Sequence, residues 1–97
     1  MIELNPAQRK FLKALAHKLK PVVMIGNAGL SEAVIKEIGK SLAAHELIKI
    51  RVLNDNREER EAWLKAICEA VDCAPVQHIG KLLLVYKPTA KPQIKLP

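Results

Sequence analysis

The residues best suited to binding chemistry form a short loop, Gly26-Asn27-Ala28-Gly29, which we call the glycine loop. It follows an apolar segment and precedes Ser31, a favoured helix N-cap residue. The first N–H groups of a helix have no partner within the helix, so they bind phosphate readily. Glycine adopts positive φ and lacks a Cβ, which lets a phosphate approach the backbone. The spacing therefore favours a phosphate-binding loop, although such turns also contain glycine for packing alone.

Basic side chains flank the glycine loop on both sides along the chain. Residues 9–20 contain five lysines and arginines and no acidic residue, and the helix after the loop carries two further lysines. Part of the first group recurs at helical spacing, so we expect a basic stripe on the exposed face of a helix. Basic groups on one surface attract a polyanion. The residues expected to surround the loop are Lys13, His17, Lys18, Lys20, Lys36 and Lys40.

Other kinds of nucleotide and nucleic-acid site fit the sequence less well. A dinucleotide site would need G-x-G-x-x-G, and a nucleoside triphosphate site would need G-K-[ST] after the loop; neither pattern is present. Modules that recognise single-stranded bases stack them on aromatic side chains. Phe11 and Trp63 lie on predicted apolar stripes and leave only Tyr86, so no such surface is expected. Recognition of the backbone and shape of structured RNA fits better, and DNA stays open on charge alone.

Candidate catalytic and metal-binding residues are few and scattered. Cys68 and Cys73 lie five residues apart, the three histidines are distant in sequence, and no paired-carboxylate arrangement emerges. A structural zinc site needs about four nitrogen or sulfur ligands. We therefore expect a protein that is not an enzyme and has no metal, cofactor or small-molecule substrate. The two cysteines are expected to be small core or boundary residues rather than a disulfide bridge.

Length and apolar content favour one domain without membrane contact. The chain has 97 residues, and no apolar stretch approaches the roughly 20 residues that a membrane span requires. The first residues lack the charged and apolar regions of a signal peptide. We therefore expect a cytoplasmic protein.

Apolar periodicity predicts the elements that must position the glycine loop. A first helix begins with a capping box of Asn5 and Gln8 and ends before Pro21. Its expected core stripe is Phe11, Leu12, Leu15, Ala16 and Leu19. After it we expect a buried strand at 22–25, a helix capped by Ser31, a strand at 47–53, a helix at 57–72 and strands at 76–79 and 82–86. In the strand at 47–53, Lys49 and Arg51 point away from the core face.

These elements predict an α+β or split α/β domain. An N-terminal helix precedes β-α-β-α-β-β, with one four-stranded mixed sheet on which the helices pack. The first two strands are expected to be parallel, because a strand–helix–strand crossover returns the chain in the same direction. The last two are expected to form a hairpin at Gly80-Lys81. Residues 1–87 are expected to form the domain, and residues 88–97 an extended, basic, proline-containing tail.

Four segments of the chain carry a family resemblance: LAHKLKPVV from Leu15, IGNAGL from Ile25, HELIKI from His45 and VQHIGK from Val76. In this order, and together with residues 94–97, they closely resemble the YhbY family. This family comprises bacterial stand-alone versions of the CRM domain, which is named for chloroplast RNA splicing and ribosome maturation.

The resemblance implies a core similar to the C-terminal domain of bacterial translation initiation factor three. It also implies binding to ribosomal RNA in precursors of the large subunit. The glycine loop would correspond to the KH-type loop that clamps nucleotide backbone, with nearby basic residues sharing the contacts. Plant relatives often place basic residues in this loop, whereas Asn27 and Ala28 are neutral. The basic residues carried over are Lys13, His17, Lys18, Lys20, Lys36, Lys40 and Lys49.

Two functions of different classes are compatible with these features. The first is an RNA-binding assembly factor for the large ribosomal subunit, acting as a monomer. The alternative is a protein-interaction module that docks on a ribosomal protein or an assembly GTPase. Its support is the third helix, because residues 57–72 hold five acidic and three basic residues in a chain of net charge +6.

Overall fold

The fold follows from a computed structural model that describes residues 2–97. Its elements are α1 Pro6–Ala16, β1 Val23–Ile25, α2 Glu32–His45, β2 Leu47–Val52, α3 Arg57–Val71, β3 Ala74–Ile79 and β4 Leu82–Tyr86. The four strands form one sheet in the order β1-β2-β4-β3. β1 and β2 are parallel, whereas β4 is antiparallel to both of its neighbours. The predicted fold class, element order and mixed sheet are confirmed.

Local capping sets where the helices begin. The Asn5 side chain accepts a hydrogen bond from the Gln8 N–H, and the Gln8 side chain accepts one from the Asn5 N–H, forming the predicted capping box. Ser31 and Asn56 cap α2 and α3 in the same way, each accepting from the N–H three residues later. α1 ends at Ala16, earlier than expected, because the chain must turn through residues 17–20 to reach β1.

Each face of the sheet has its own hydrophobic core. On one face α2 and α3 pack over the strands through residues such as Ile38 and Ile67. On the other, which we call the α1 face, Leu12 and Ala16 of α1 pack against Leu47, Val76, Leu84 and Tyr86. Because alternate residues of a strand point to opposite faces, β2 contributes to both cores.

The α1 face is only partly covered, which corrects two expectations. Phe11, Leu15 and Leu19 were predicted in the core, but each is more than a third exposed. A single helix covers this face and packs mainly on β2 and β3. Only the narrow stripe of Leu12 and Ala16 is therefore buried against the sheet. β1 was predicted to be buried on both sides, but it is an edge strand and Met24 is 56% exposed.

The segment after β4 folds back onto the domain. Glu46, which ends α2 with a φ of 65°, is buried. Its carboxylate accepts hydrogen bonds from the N–H and O–H groups of Thr89 and from the N–H groups of Gln93 and Ile94. Ile94 and Leu96 pack against the core on the α1 face. The residues predicted to form an extended tail are therefore packed on the domain.

The two cysteines lie in the core beneath α3. Cys68 and Cys73 are buried free thiols whose Sγ atoms are 3.6 Å apart, so their predicted place in the core is confirmed. Within residues 2–97, no three His, Cys, Asp or Glu side chains are grouped so that they could hold a metal ion. None of the helices in this part of the chain has both the length and the apolar character needed to cross a bilayer.

Candidate nucleic-acid interface

The glycine loop lies where the two parallel strands end. The Leu53 N–H donates to the Ile25 carbonyl over 2.8 Å, so the segments that follow β1 and β2 run side by side. α2 and α3 also begin at this end, at their caps Ser31 and Asn56. The carboxyl ends of parallel strands and the N-termini of helices are favoured places for anionic ligands. We call this region the loop end of the sheet.

The glycine loop closes as a tight turn. The Gly29 N–H donates to the Gly26 carbonyl over 3.0 Å. Gly29 has a φ of +81°, and a Cβ added there would lie 3.3 Å from the Trp63 ring. Gly26 has no positive φ and has open space where its Cβ would be. Positive φ was expected at both glycines of the loop, and it occurs only at Gly29. Asn27 and Ala28 are exposed between the two glycines.

A cavity of about 480 Å³ separates the glycine loop from the segment after β2. It is lined by Gly26, Asn27, Leu53, Asn54, Asp55, Asn56 and Trp63. The Asp55 carboxylate lies 2.6 Å from the Lys81 ammonium. The hydrogen bond and positive charge of Lys81 lower the pKa of Asp55. Lys81 thus offsets the negative charge of Asp55 at this cavity.

Arg60 supports the segment after β2 that lines this cavity. Its buried guanidinium donates from Nη1 to the Asn54 carbonyl over 2.7 Å and from Nε to His78 Nε2 over 3.1 Å. Because His78 Nε2 accepts, the ring proton lies on Nδ1, which donates to Glu61 over 2.6 Å. His78 is therefore structural and ties α3 to β3.

Three of the predicted basic residues meet on the α1 face. Lys13, His17 and Lys49 line one hollow of about 130 Å³ beside α1. Arg51 is exposed on the same face of β2, opposite Met24 of β1 and Leu82 of β4. Since β2 ends one residue after Arg51, this group extends toward the loop end of the sheet.

Lys18 and Lys20 lie at the other end of β1. Both precede Val22, whose N–H donates to the Lys49 carbonyl over 3.0 Å. At about 3.3 Å per residue, the strand from Val22 to Gly26 spans roughly 13 Å. Lys18 and Lys20 line a groove there with His45, the last residue of α2. They do not flank the glycine loop.

Lys36 and Lys40 lie on the exposed side of α2. Each is two positions from the buried Ile38, which places it about 160° around the helix from the core. They therefore point away from the sheet, on the side opposite the α1 face. Lys36 lies only about 7 Å along the helix from Ser31, whereas Lys40 lies about 13 Å away. The predicted basic residues thus occupy three separate places and do not form one continuous surface.

Most of the chain matches a known family of domains. The family model of the CRS1 / YhbY (CRM) domain matches residues 4–87. The chain belongs to this family. The resemblance seen in the four sequence segments is thereby confirmed.

Three relatives of this CRM domain align over almost their whole length. An RNA-binding protein of Haemophilus influenzae is 44% identical over 97 residues, covering 100% of this chain and 98% of the relative. The probable RNA-binding protein YqeI of Bacillus subtilis is 35% identical over 95 residues, covering 97% and 99%. A hypothetical Staphylococcus aureus protein, proposed to bind RNA and solved in solution, superposes with a TM-score of 0.86 at 33% identity. That match covers 98% of this chain and 100% of the other.

Sequence reasoning missed several basic residues at the loop end of this CRM domain. Lys81 reaches it because β4 is antiparallel to β2, so the hairpin turn lies beside the end of β2, where the Val52 N–H donates to the Lys81 carbonyl. Arg57 is there as the first residue of α3. Arg51 had a signal in the sequence, since it alternates with the buried residues of β2. The positions of Lys81 and Arg57 required the strand order.

Proposed function

We propose that this CRM domain binds structured RNA at the loop end of its sheet, with a backbone phosphate at the glycine loop. The observation that carries the proposal is the loop itself: Gly29 holds a left-handed turn against Trp63 beside the N-terminus of α2. The backbone N–H groups there can approach a phosphate without an intervening side chain. Family membership and relatives named as RNA-binding proteins support RNA as the ligand.

In this proposal the basic residues contribute unequally. Lys36, Arg57 and Lys81 lie nearest to the glycine loop, and the group of Lys13, His17, Lys49 and Arg51 extends the contact over the α1 face. Lys18, Lys20 and Lys40 are farther away. Screening at physiological salt acts over about 8 Å, so these three attract RNA during approach more than they hold it.

The proposal includes a cellular role. The bound RNA is ribosomal RNA in precursors of the large subunit, and the protein is an assembly factor that acts as a monomer in the cytoplasm. It binds rather than catalyses, without a cofactor. This role rests on the resemblance to the YhbY family and on the size of the domain.

The acidic residues of α3 give the protein-interaction alternative less support than their number suggested. Glu59 accepts a hydrogen bond from the Asn54 side chain, and Glu61 accepts one from His78. Both carboxylates therefore make contacts inside the domain, beside the segment that lines the cavity. Fewer acidic side chains of this helix are left for a partner.

The sharpest test places a negative charge in the loop without disturbing its backbone. Ala28 is exposed and has no positive φ, so Ala28→Asp should fold normally. We expect it to weaken binding to a labelled, structured ribosomal RNA fragment by about tenfold or more, because the carboxylate repels the phosphate. Fluorescence anisotropy at fixed salt measures the change.

Two variants control for size and for total charge. Ala28→Asn matches the aspartate in shape, and Ala66→Asp adds the same charge on the exposed side of α3. Both should bind RNA within about twofold of the parent protein. Equal losses for Ala28→Asp and Ala66→Asp would mean that only net charge matters, and the glycine loop would have no special role.

A further inference from the structure

A second surface, at the end of β1 opposite the glycine loop, has a different chemistry. It is a groove of about 520 Å³, which we call the apolar groove. Its apolar lining includes Leu15 and Leu19, Val22 before β1, and Ile94 from the segment after β4. The RNA-binding proposal leaves this groove unexplained, since RNA backbone offers a phosphate and a sugar rather than apolar side chains.

The exposed leucines and valine form one continuous feature. Leu15, Leu19 and Val22 are 38%, 37% and 46% exposed, although all three line the same groove. Phe11, also exposed, lies one turn before Leu15 and extends the apolar stripe along α1. Single exposed apolar residues are common, whereas a contiguous apolar surface with a cavity marks an interaction site.

Hydrogen bonds to Glu46 hold one wall of the groove in place. Ile94 reaches it because its N–H donates to the Glu46 carboxylate over 2.9 Å, and Thr89 and Gln93 bond to the same carboxylate. Ile94 also packs against the core on the α1 face. The buried Glu46 carboxylate therefore fixes the side of the groove that Ile94 forms.

The polar lining residues of the apolar groove are all basic or weakly basic. Lys18, Lys20 and His45 lie around the apolar residues. No aspartate or glutamate is among the lining residues in the part of the chain that the structure describes. A ligand that matches this surface has apolar side chains in its centre and acidic groups at its margins.

We propose that the apolar groove docks an amphipathic helix of a partner protein, with apolar residues on one face and glutamate or aspartate beside them. The apolar side chains occupy the space between Leu15, Leu19 and Val22. The acidic residues pair with Lys18 and Lys20. A helix placed with its apolar face in a groove is a common mode of peptide recognition. The groove and the glycine loop lie at opposite ends of β1, so a partner in the groove leaves the glycine loop free for RNA.

A defined peptide provides the test. The probe is a fluorescein-labelled helical peptide of about 15 residues with leucine at positions i, i+3, i+4 and i+7 and glutamate on both sides of that stripe. The control peptide has lysine in place of every glutamate. We expect the acidic peptide to bind the full chain in fluorescence anisotropy, with amide shifts confined to the residues of the groove. The lysine peptide should bind at least about tenfold more weakly.

Matched variants separate apolar contact from charge. Leu19→Ser removes an exposed apolar side chain from the groove and should lower peptide affinity by about tenfold. Ile79→Ser is the control, because Ile79 is similarly exposed but lies on β3, across the sheet. Lys20→Gln should weaken binding and flatten its salt dependence. RNA affinity should stay within about twofold in Leu19→Ser, whereas Ala28→Asp should lower RNA affinity and leave peptide affinity unchanged.

Several results would overturn the proposal. These are absence of saturable binding at about 1 mM peptide, equal binding of the lysine peptide, or amide shifts at another surface. Self-association of the chain that Leu19→Ser abolishes would assign the groove to a second copy. An equal loss of RNA affinity in Leu19→Ser and Ala28→Asp would assign it to RNA. Circular dichroism melting of each variant shows whether a loss of binding reflects unfolding.

Discussion

At Gly29 the backbone and a neighbouring side chain impose the same requirement. The φ of +81° disfavours any residue with a Cβ, and the Trp63 ring occupies the space where that Cβ would lie. The two glycines of the loop therefore differ in kind. Gly29 is needed for the fold, whereas Gly26 keeps the surface of the loop open.

This difference predicts opposite outcomes for two similar substitutions. Gly29→Ala should lower the free energy of unfolding by about 1–3 kcal/mol, because it forces alanine into the left-handed region and against Trp63. Gly26→Ala should change it by no more than about 1 kcal/mol in either direction. Urea unfolding followed by circular dichroism measures both. Comparable destabilisation in the two variants would show that the loop has another conformation in solution.

At the scale of the elements, the junction of α2 and β2 organises the end of the chain. Glu46 is buried at this junction, and its carboxylate accepts hydrogen bonds from three residues near the C-terminus. The hydrogen bonds from Thr89, and then those from Ile94 and Gln93, outweigh the effect of burial and lower the pKa of Glu46 to about 2. The carboxylate is thus ionised in the folded protein at neutral pH.

The lowered pKa predicts how the packing of residues 88–97 depends on pH. An unfolded Glu46 takes up its proton near pH 4.5, but the folded protein does so only near pH 2. The stabilisation is therefore complete above about pH 4.5 and is lost as the pH falls toward 2. The protection factors for amide hydrogen exchange at Gln93 and Ile94 should therefore fall over this range, whereas those of amides in β4 should change less.

The variant Glu46→Gln tests the same point at neutral pH. Its amide would place an NH₂ group against N–H donors, so the exchange of Gln93 and Ile94 should already be fast at pH 7. Glu37→Gln, on the exposed side of α2, is the matched control. Unchanged protection in Glu46→Gln would mean that apolar packing of Ile94 and Leu96 alone holds this segment.

Which elements were predictable depends on the range of the interactions that specify them. The capping box of Asn5 and Gln8 and the hairpin at Gly80-Lys81 are specified within a few residues, and both are present. The exposure of Leu15 and Leu19 depends on how many helices cover each face of the sheet, which periodicity does not contain. The role of Glu46 depends on residues more than forty positions away.

At the scale of the whole molecule, the sheet separates lysines that are close in the sequence. Lys40 and Lys49 lie nine positions apart, yet the first points outward from α2 and the second lines a hollow on the α1 face. Sequence reasoning correctly placed basic residues on helix and strand surfaces. It did not show which of those surfaces adjoin, because that depends on which face each helix occupies.

This separation predicts unequal effects on the salt dependence of RNA binding. Each neutralised phosphate contributes about −0.7 to −0.9 to the slope of log affinity against log salt. Lys49→Gln should reduce the magnitude of that slope by roughly one such unit, because Lys49 lies with Lys13 and His17 on the proposed path. Lys40→Gln should leave it nearly unchanged. Titrations between about 50 and 200 mM salt test the pair, and equal slopes would place the RNA elsewhere.

The contact between Trp63 and Gly29 has one more consequence, for how the domain can be observed. Trp63 is the single tryptophan of the chain, and its ring lines the cavity beside the glycine loop. Its emission therefore comes from one place only, within reach of whatever enters the loop. A phosphate bound there should change the emission of the unlabelled protein, whereas a peptide in the apolar groove, at the far end of β1, should not. The protein thus contains its own fluorescent reporter for one of its two surfaces.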